Sequence, residues 1–153
     1  EAVTGLDLIA QQIAIAEGRP LTLQQDDLTA SGHAIECRLN AEDVYRDFAP
    51  SPGRISLAWF PAIAGLRVDT HMTTGAMIPP YYDSMVAKLI AHGPTRAEAI
   101  AVMQKALAIC SLEGITTNAP LHRAIMADPA FQAGGVDTNY LAGLLPALTK
   151  AAP

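Results

Sequence analysis

His33-Ala34-Ile35-Glu36-Cys37-Arg38-Leu39-Asn40 alternates without a break. Ile35, Cys37 and Leu39 point one way and Glu36, Arg38 and Asn40 the other, the two-residue period of a strand with one buried and one strongly polar face. Ala41-Glu42-Asp43 extends the polar character, and Pro50-Ser51-Pro52-Gly53 turns the chain. Two more strands are expected downstream. One carries Ile55, Leu57 and Trp59 on a single face; the other carries Leu66, Val68 and Thr70 opposite Arg67, Asp69 and His71. Thr73-Thr74-Gly75 makes a turn, and Pro79-Pro80 cannot lie in a central strand. The apolar run 84–92 reads as a strand, with a helix as the open alternative for so short a run.

Helical patterns flank this block. Thr4-Gly5-Leu6-Asp7 reads as a helix start with Thr4 as N-cap, and Leu6, Ile9, Ala10, Ile13 and Ala16 follow at helical spacing until Gly18 and Pro20 stop them. Thr95-Arg96-Ala97-Glu98 is a capping box, followed by Ile100, Met103, Leu107 and Cys110 on one face, with Gly114 as the helix end. Ile115-Thr116-Thr117 reads as a short strand and Asn118 as the cap of a helix carrying Leu121, Ile125 and Met126, ended by Asp128-Pro129. Gly134-Gly135 is a loop, Thr138 opens a last helix, and the chain after Pro146 reads as a flexible tail. Strands followed by helices predict an α+β domain with an antiparallel sheet.

At 153 residues the chain suits one core, and 50% apolar with 16% charged residues is globular. A surface so poor in charge suggests that part of it is covered. A net charge of −5 with ten scattered Lys and Arg argues against a nucleic-acid partner. Cys37 and Cys110 lie far apart in apolar patterns and read as two buried thiols of a reducing cytosol. No apolar run approaches the ~20 residues of a membrane span, and no signal-peptide pattern is seen. The opening Glu1-Ala2-Val3, without an initiator Met and almost directly in a helix, reads as a cut or processed start.

No Gly-rich phosphate loop, HExxH pair or G-x-S-x-G elbow occurs. The four dispersed histidines, His71 and His92 among them, read as structural. The Glu36, Arg38, Asn40 face has two readings. A guanidinium steadied by an acid and an amide suits recognition of an oxyanion; an ordinary exposed Arg–Glu pair would be worth under ~1 kcal/mol. Pro79-Pro80-Tyr81-Tyr82-Asp83-Ser84 either shapes a site or is a turn whose tyrosines cover core.

These stretches resemble a family. His33 to Asp43 is similar to the H-A-[IV]-E-C-R-[IL]-N-A-E-D stretch of biotin carboxylases, Pro50 to Gly53 to their P-S-P-G turn, and Ile78 to Met85 with Lys88-Leu89-Ile90 to their V-P-P-Y-Y-D-S-M-x-x-K-L-I segment. Gly114 to Asn118 resembles their G-[IV]-x-T-[NT] element, and Val3 to Leu8 the V-T-G-[IVL]-D-L helix after the catalytic loop. The matches run in order over residues 1–145. The resemblance implies residues 1–146 as the C-terminal domain of an ATP-grasp biotin carboxylase, with an opening helix over 4–18 from the end of the ATP-grasp region and a tail over 147–153.

It also implies a reaction. ATP phosphorylates bicarbonate to carboxyphosphate, which releases CO2 and phosphate. Biotin, on a biotin carboxyl carrier protein, loses its ureido N1 proton and attacks CO2, and negative charge moves to the ureido oxygen. The family's Arg against that oxygen corresponds to Arg38, as catalytic and biotin-binding residue, with Glu36, Asn40 and Asp83 as supports. Mg2+ or Mn2+, ATP and the catalytic Glu belong to segments upstream of Glu1, so these residues alone are expected to be inactive. The wording of the E-C-R-L-N-A-E-D stretch favours a cytoplasmic acetyl-CoA carboxylase of fatty acid biosynthesis over pyruvate, propionyl-CoA, methylcrotonyl-CoA or urea carboxylases, with a carboxyltransferase as partner. The resemblance further implies a homodimer with Arg67 in its interface, although Pro61 to Gly65 departs from the family's Gly-rich stretch with an aromatic near Ala64. A non-catalytic binding module on the same fold is the competing reading.

Overall fold

The computed structural model describes residues 1–150. In chain order the elements are α1 (Leu8–Ala16), β1 (His33–Asn40), β2 (Glu42–Asp43), β3 (Ala49–Pro50), β4 (Gly53–Arg54), β5 (Leu57–Trp59), β6 (Leu66–Thr70), β7 (Met77–Ile78), β8 (Met85–Gly93), α2 (Arg96–Ile109), β9 (Ser111–Glu113), α3 (Ala119–Ala127), α4 (Pro129–Ala133) and α5 (Tyr140–Lys150). The α+β expectation holds. The run 84–92 is a strand, and it is central: the main sheet has the order β1-β8-β6, antiparallel throughout.

Register fixes which side chains meet. Cys37 and Val68 both pair with Leu89, so Ile35, Cys37, Leu39, Ala87, Leu89 and Ala91 share the inner face. Helix α2 covers that face with Ala99, Ile100, Met103, Ala106 and Leu107, and α3 adds Ala119 and Met126. The alanines on both sides leave room for a helix to pack closely on the sheet. Thr95 and Glu98 form the expected capping box at the start of α2. A second cluster, Ala41, Ile55, Ile78 and Val86, sits under the short pairs β4–β7 and β5–β9.

Several boundaries move. Helix α1 starts at Leu8, with Asp7 rather than Thr4 as N-cap, because the N–H groups of Thr4 and Gly5 turn back onto the Glu1 carbonyl. The expected helix over 4–18 is thus 8–16, and it buries none of its residues. Ile55, Leu57 and Trp59 do not share a face: the chain bends at Ser56, whose N–H donates to the Glu113 carbonyl, so Ile55 is buried and Leu57 and Trp59 are exposed. Helix α2 ends at Ile109, before Gly114; Ser111–Glu113 pairs with β5, and Ile115-Thr116-Thr117 is irregular. Pro129 opens α4, which no sequence pattern announced. Helix α5 starts at Tyr140 rather than Thr138 and continues through Pro146 to Lys150, so the expected tail over 147–153 begins as helix; 151–153 lie outside the described residues.

Candidate site on the polar face of the sheet

The outer face of the sheet carries two cross-strand rows. Arg38, Lys88 and Asp69 form one, and Glu36, Ile90 and Arg67 the next. Each row exists because the two-residue period aims every second side chain of three paired strands to the same side. Arg38 sits at the β1 edge of its row, with 69% of its side chain exposed. Its Nε donates to Glu36 Oε1 at 3.0 Å. The terminal amines make no hydrogen bond among the described residues, so the guanidinium is steadied through one edge and presents its fork outward. The Lys88 ammonium lies 3.2 Å from Asp69 Oδ2. Along β6, Asp69 also accepts from Arg67 Nε and Nη2 at 2.8 and 2.7 Å. The Arg67 hydrogen bonds, helped by Lys88, hold the Asp69 carboxyl down at about 2, and the same carboxylate together with Glu1 pushes the Arg67 guanidinium upward.

Asn40 is placed differently from expectation. It lies on β1 next to Arg38's face, but its Nδ2 donates to Glu42 Oε1 at 3.2 Å, which also accepts from Ser84 Oγ. A register shift falls between Leu39 and Asn40. Asp83 is exposed and accepts from the Met85 N–H at 2.8 Å, fixing the entry to β8 rather than bonding Arg38. Asn40, Glu42, Tyr82, Asp83 and Ser84 line a cavity of about 410 Å³. Tyr81 and Tyr82 are 87% and 82% exposed and cover no core, which removes that reading of the Pro79 to Ser84 turn.

Two residues behind Arg38 escaped the sequence reading. Asn118, read there only as a helix cap, makes no side-chain cap bond. Its Nδ2 donates to the Arg38 carbonyl at 3.1 Å and its Oδ1 accepts from the Asn40 N–H at 2.9 Å. His122 Nε2 meets the same Arg38 carbonyl at 2.8 Å. Burial lowers the His122 pKa, opposed by that backbone contact. Cys37, on the buried face, is pushed up to about 12 by desolvation and then by Glu36, so it is a neutral packing residue at ordinary pH. His92 Nε2 lies 3.0 Å from the Ser31 carbonyl.

A larger cavity of about 520 Å³ opens between the first residues and the sheet, lined by Glu1, Leu6, Asp7, Arg67, Ile90 and His92 among others. Among the described residues no group of three or more His, Cys, Asp and Glu side chains is placed to hold a metal ion, and no helix is long and apolar enough to cross a membrane. Arg38 offers an outward cationic fork on a paired strand, a geometry that suits a planar oxygen acceptor.

Residues 36–143 match the family model of the biotin carboxylase C-terminal domain. The biotin carboxylase of Nostoc sp. is 50% identical over 92% of this chain, which covers 32% of that relative. Among solved structures, the biotin carboxylase domain dimer of 2-oxoglutarate carboxylase from Hydrogenobacter thermophilus, in complex with MgADP, ADP and bicarbonate, is 40% identical with a TM-score of 0.92 over 99% of this chain and 33% of that one. The biotin carboxylase subunit of a pyruvate carboxylase is 42% identical with a TM-score of 0.92 over 99% of this chain and 33% of its own. The chain thus spans about a third of the length of these relatives.

Proposed function

The chain belongs to the biotin carboxylase family, as its C-terminal domain, and from that premise we propose that the protein of which it forms part carboxylates carrier-bound biotin with ATP and bicarbonate. Within these residues the part of that work falls to Arg38. The observation that carries the reading is its free fork: Glu36 holds Nε, and the terminal amines stand ready for an acceptor. When N1 of biotin gives up its proton, charge accumulates on the ureido oxygen before N1 attacks CO2 and passes the charge to the new carboxylate. A permanently charged donor there stabilises the transition state more than neutral biotin, which raises the rate rather than merely tightening binding. Glu36 orients the guanidinium through Nε, but as an exposed pair it restrains it only weakly.

ATP and its metal are proposed to be held by parts of the protein outside this chain, which spans about a third of its relatives' length. A neighbour solved with MgADP and bicarbonate supports their use by the family. We further propose an acetyl-CoA carboxylase of the cytoplasm, served by a biotin carboxyl carrier protein and a carboxyltransferase. The E-C-R-L-N-A-E-D wording supports the first point, and two free thiols suit a reducing compartment.

The test is biotin-dependent ATP turnover of the full-length protein, wild type against Arg38→Ala and Arg38→Lys. A loss of ~10²–10³-fold is expected for Ala, the scale of one oxyanion donor. Lys, a point charge without the fork, should recover only part of it. Absence of biotin-dependent turnover in the wild type would favour a non-catalytic module on the same fold. Adding the carrier, the carboxyltransferase and acetyl-CoA, propionyl-CoA, pyruvate or 2-oxoglutarate in turn identifies the acceptor.

A further inference from the structure

We infer that Asn118 and His122, at the start of α3, are positioning residues for Arg38: they replace the strand that β1 lacks on its outer edge and hold the Arg38 peptide in place. The inference rests on the role proposed for Arg38. Strand β1 has β8 on one side only. On the other side, the Asn118 backbone N–H donates to the Asn40 carbonyl at 3.1 Å, its Oδ1 accepts from the Asn40 N–H at 2.9 Å and its Nδ2 donates to the Arg38 carbonyl at 3.1 Å. One residue thus supplies three ladder-like bonds, and it is the one buried polar residue among the described ones, at 8% exposure. His122 Nε2, at 2.8 Å, gives the Arg38 carbonyl a second partner.

The location of this brace matters. The β1–β8 register is regular through Leu39 and slips between Leu39 and Asn40, so regular pairing with β8 fails one residue beyond Arg38. A bulge increases local twist and re-aims the neighbouring side chain. With both lone pairs of its carbonyl engaged, the Arg38 peptide has no free rotation to absorb that twist, and the guanidinium is delivered from a fixed Cα. Its own side chain supplies little restraint, since the Glu36 pair is exposed. The donor that His122 offers is an N–H, so glutamine, whose amide reaches a comparable distance, should replace it, and leucine should not.

The experiment uses the full-length protein and measures two rates on each preparation: ATP turnover with biotin and bicarbonate, and ATP turnover with bicarbonate alone. Their ratio cancels any unfolded fraction. His122→Leu is expected to lower the ratio about tenfold, through kcat rather than the KM for biotin, and His122→Gln to restore it to within about twofold. Asn118→Asp, which turns a donor to the Arg38 carbonyl into an acceptor, should lower the ratio at least as far. An unchanged ratio in His122→Leu and Asn118→Asp, beside a collapsed ratio in Arg38→Ala, overturns the positioning role while leaving Arg38 in its own. A ratio lowered in His122→Leu but not restored by His122→Gln also overturns it, because a packing defect would behave so. Absence of biotin-dependent turnover in the wild type removes the Arg38 reading and this inference with it.

Discussion

Adjacent residues of β1 divide between the two jobs of the strand. Leu39 and Cys37 are buried packing residues; Arg38, between them, is exposed. That division is visible in the sequence, because a two-residue period needs only the local order of side chains. The brace on Arg38 is not: Asn118 and His122 lie 80 and 84 residues further on, and an Asn before a helix looks the same whether it caps the helix or reaches a strand. His122 has a titration that can be followed. Its pKa is lowered in the fold by burial, whereas an unfolded histidine takes its proton near pH ~6.5. Between the two values the unfolded chain binds more protons, so stability falls as pH falls through that window and is level above it. Urea midpoints of the parent and His122→Gln at pH 7.5 and 5.5 should show the parent losing more on acidification; parallel losses would mean His122 titrates as it does unfolded.

Elements of eight or more residues were readable from their own pattern, with boundaries off by a few residues. The capping box set α2, and the alternation set β1. Of the strands of two or three residues only β5 was anticipated, within the run from Ile55 to Trp59; the rest were not, since such short strands are defined by who lies across from whom rather than by any period. Gly114 is where that pairing is decided. It has φ +88, and a Cβ there would lie 2.3 Å from the Arg54 carbonyl oxygen and 2.8 Å from the Ser56 nitrogen, all backbone. Gly135 has φ +79 with nothing within 4 Å. Gly135→Ala should therefore cost ~1 kcal/mol of left-handed strain alone. Gly114→Ala should cost at least ~2–3 kcal/mol, because its backbone must move away from the 54–56 segment and loosen the β5–β9 pairing. Equal urea midpoints for the two variants would show that the close approach is absorbed without loss.

The whole molecule explains what the helical period of α1 could not. Ile9 and Ile13, on the expected apolar stripe, are 59% and 54% exposed, and Leu8 and Ile15 off it are exposed as well; periodicity says that a helix has an apolar side, not what covers it. The sheet's far edge poses the same question in charge. Strand β6 pairs with β8 alone, and on its outer face Asp69 and Glu1 grip Arg67 through three contacts while leaving 53% of the side chain exposed. A guanidinium so immobilised has already lost its rotamer freedom, which is the cost an interface Arg normally bears on docking. A biotin carboxylase domain that superposes on this chain was solved as a dimer. Arg67→Glu in the full-length protein would set a third carboxylate beside Asp69 and Glu1, reversing the charge that the edge presents. If this edge meets its twofold mate, the repulsion counts twice, once per protomer, and gel filtration at micromolar concentration should show elution at half the parent mass. Arg67→Ala, which removes the contact without reversing it, should leave a dimer that dissociates only on dilution. An elution volume unchanged in Arg67→Glu would place the dimer contact elsewhere and leave Arg67 as the clamp that ties the first residues to the sheet.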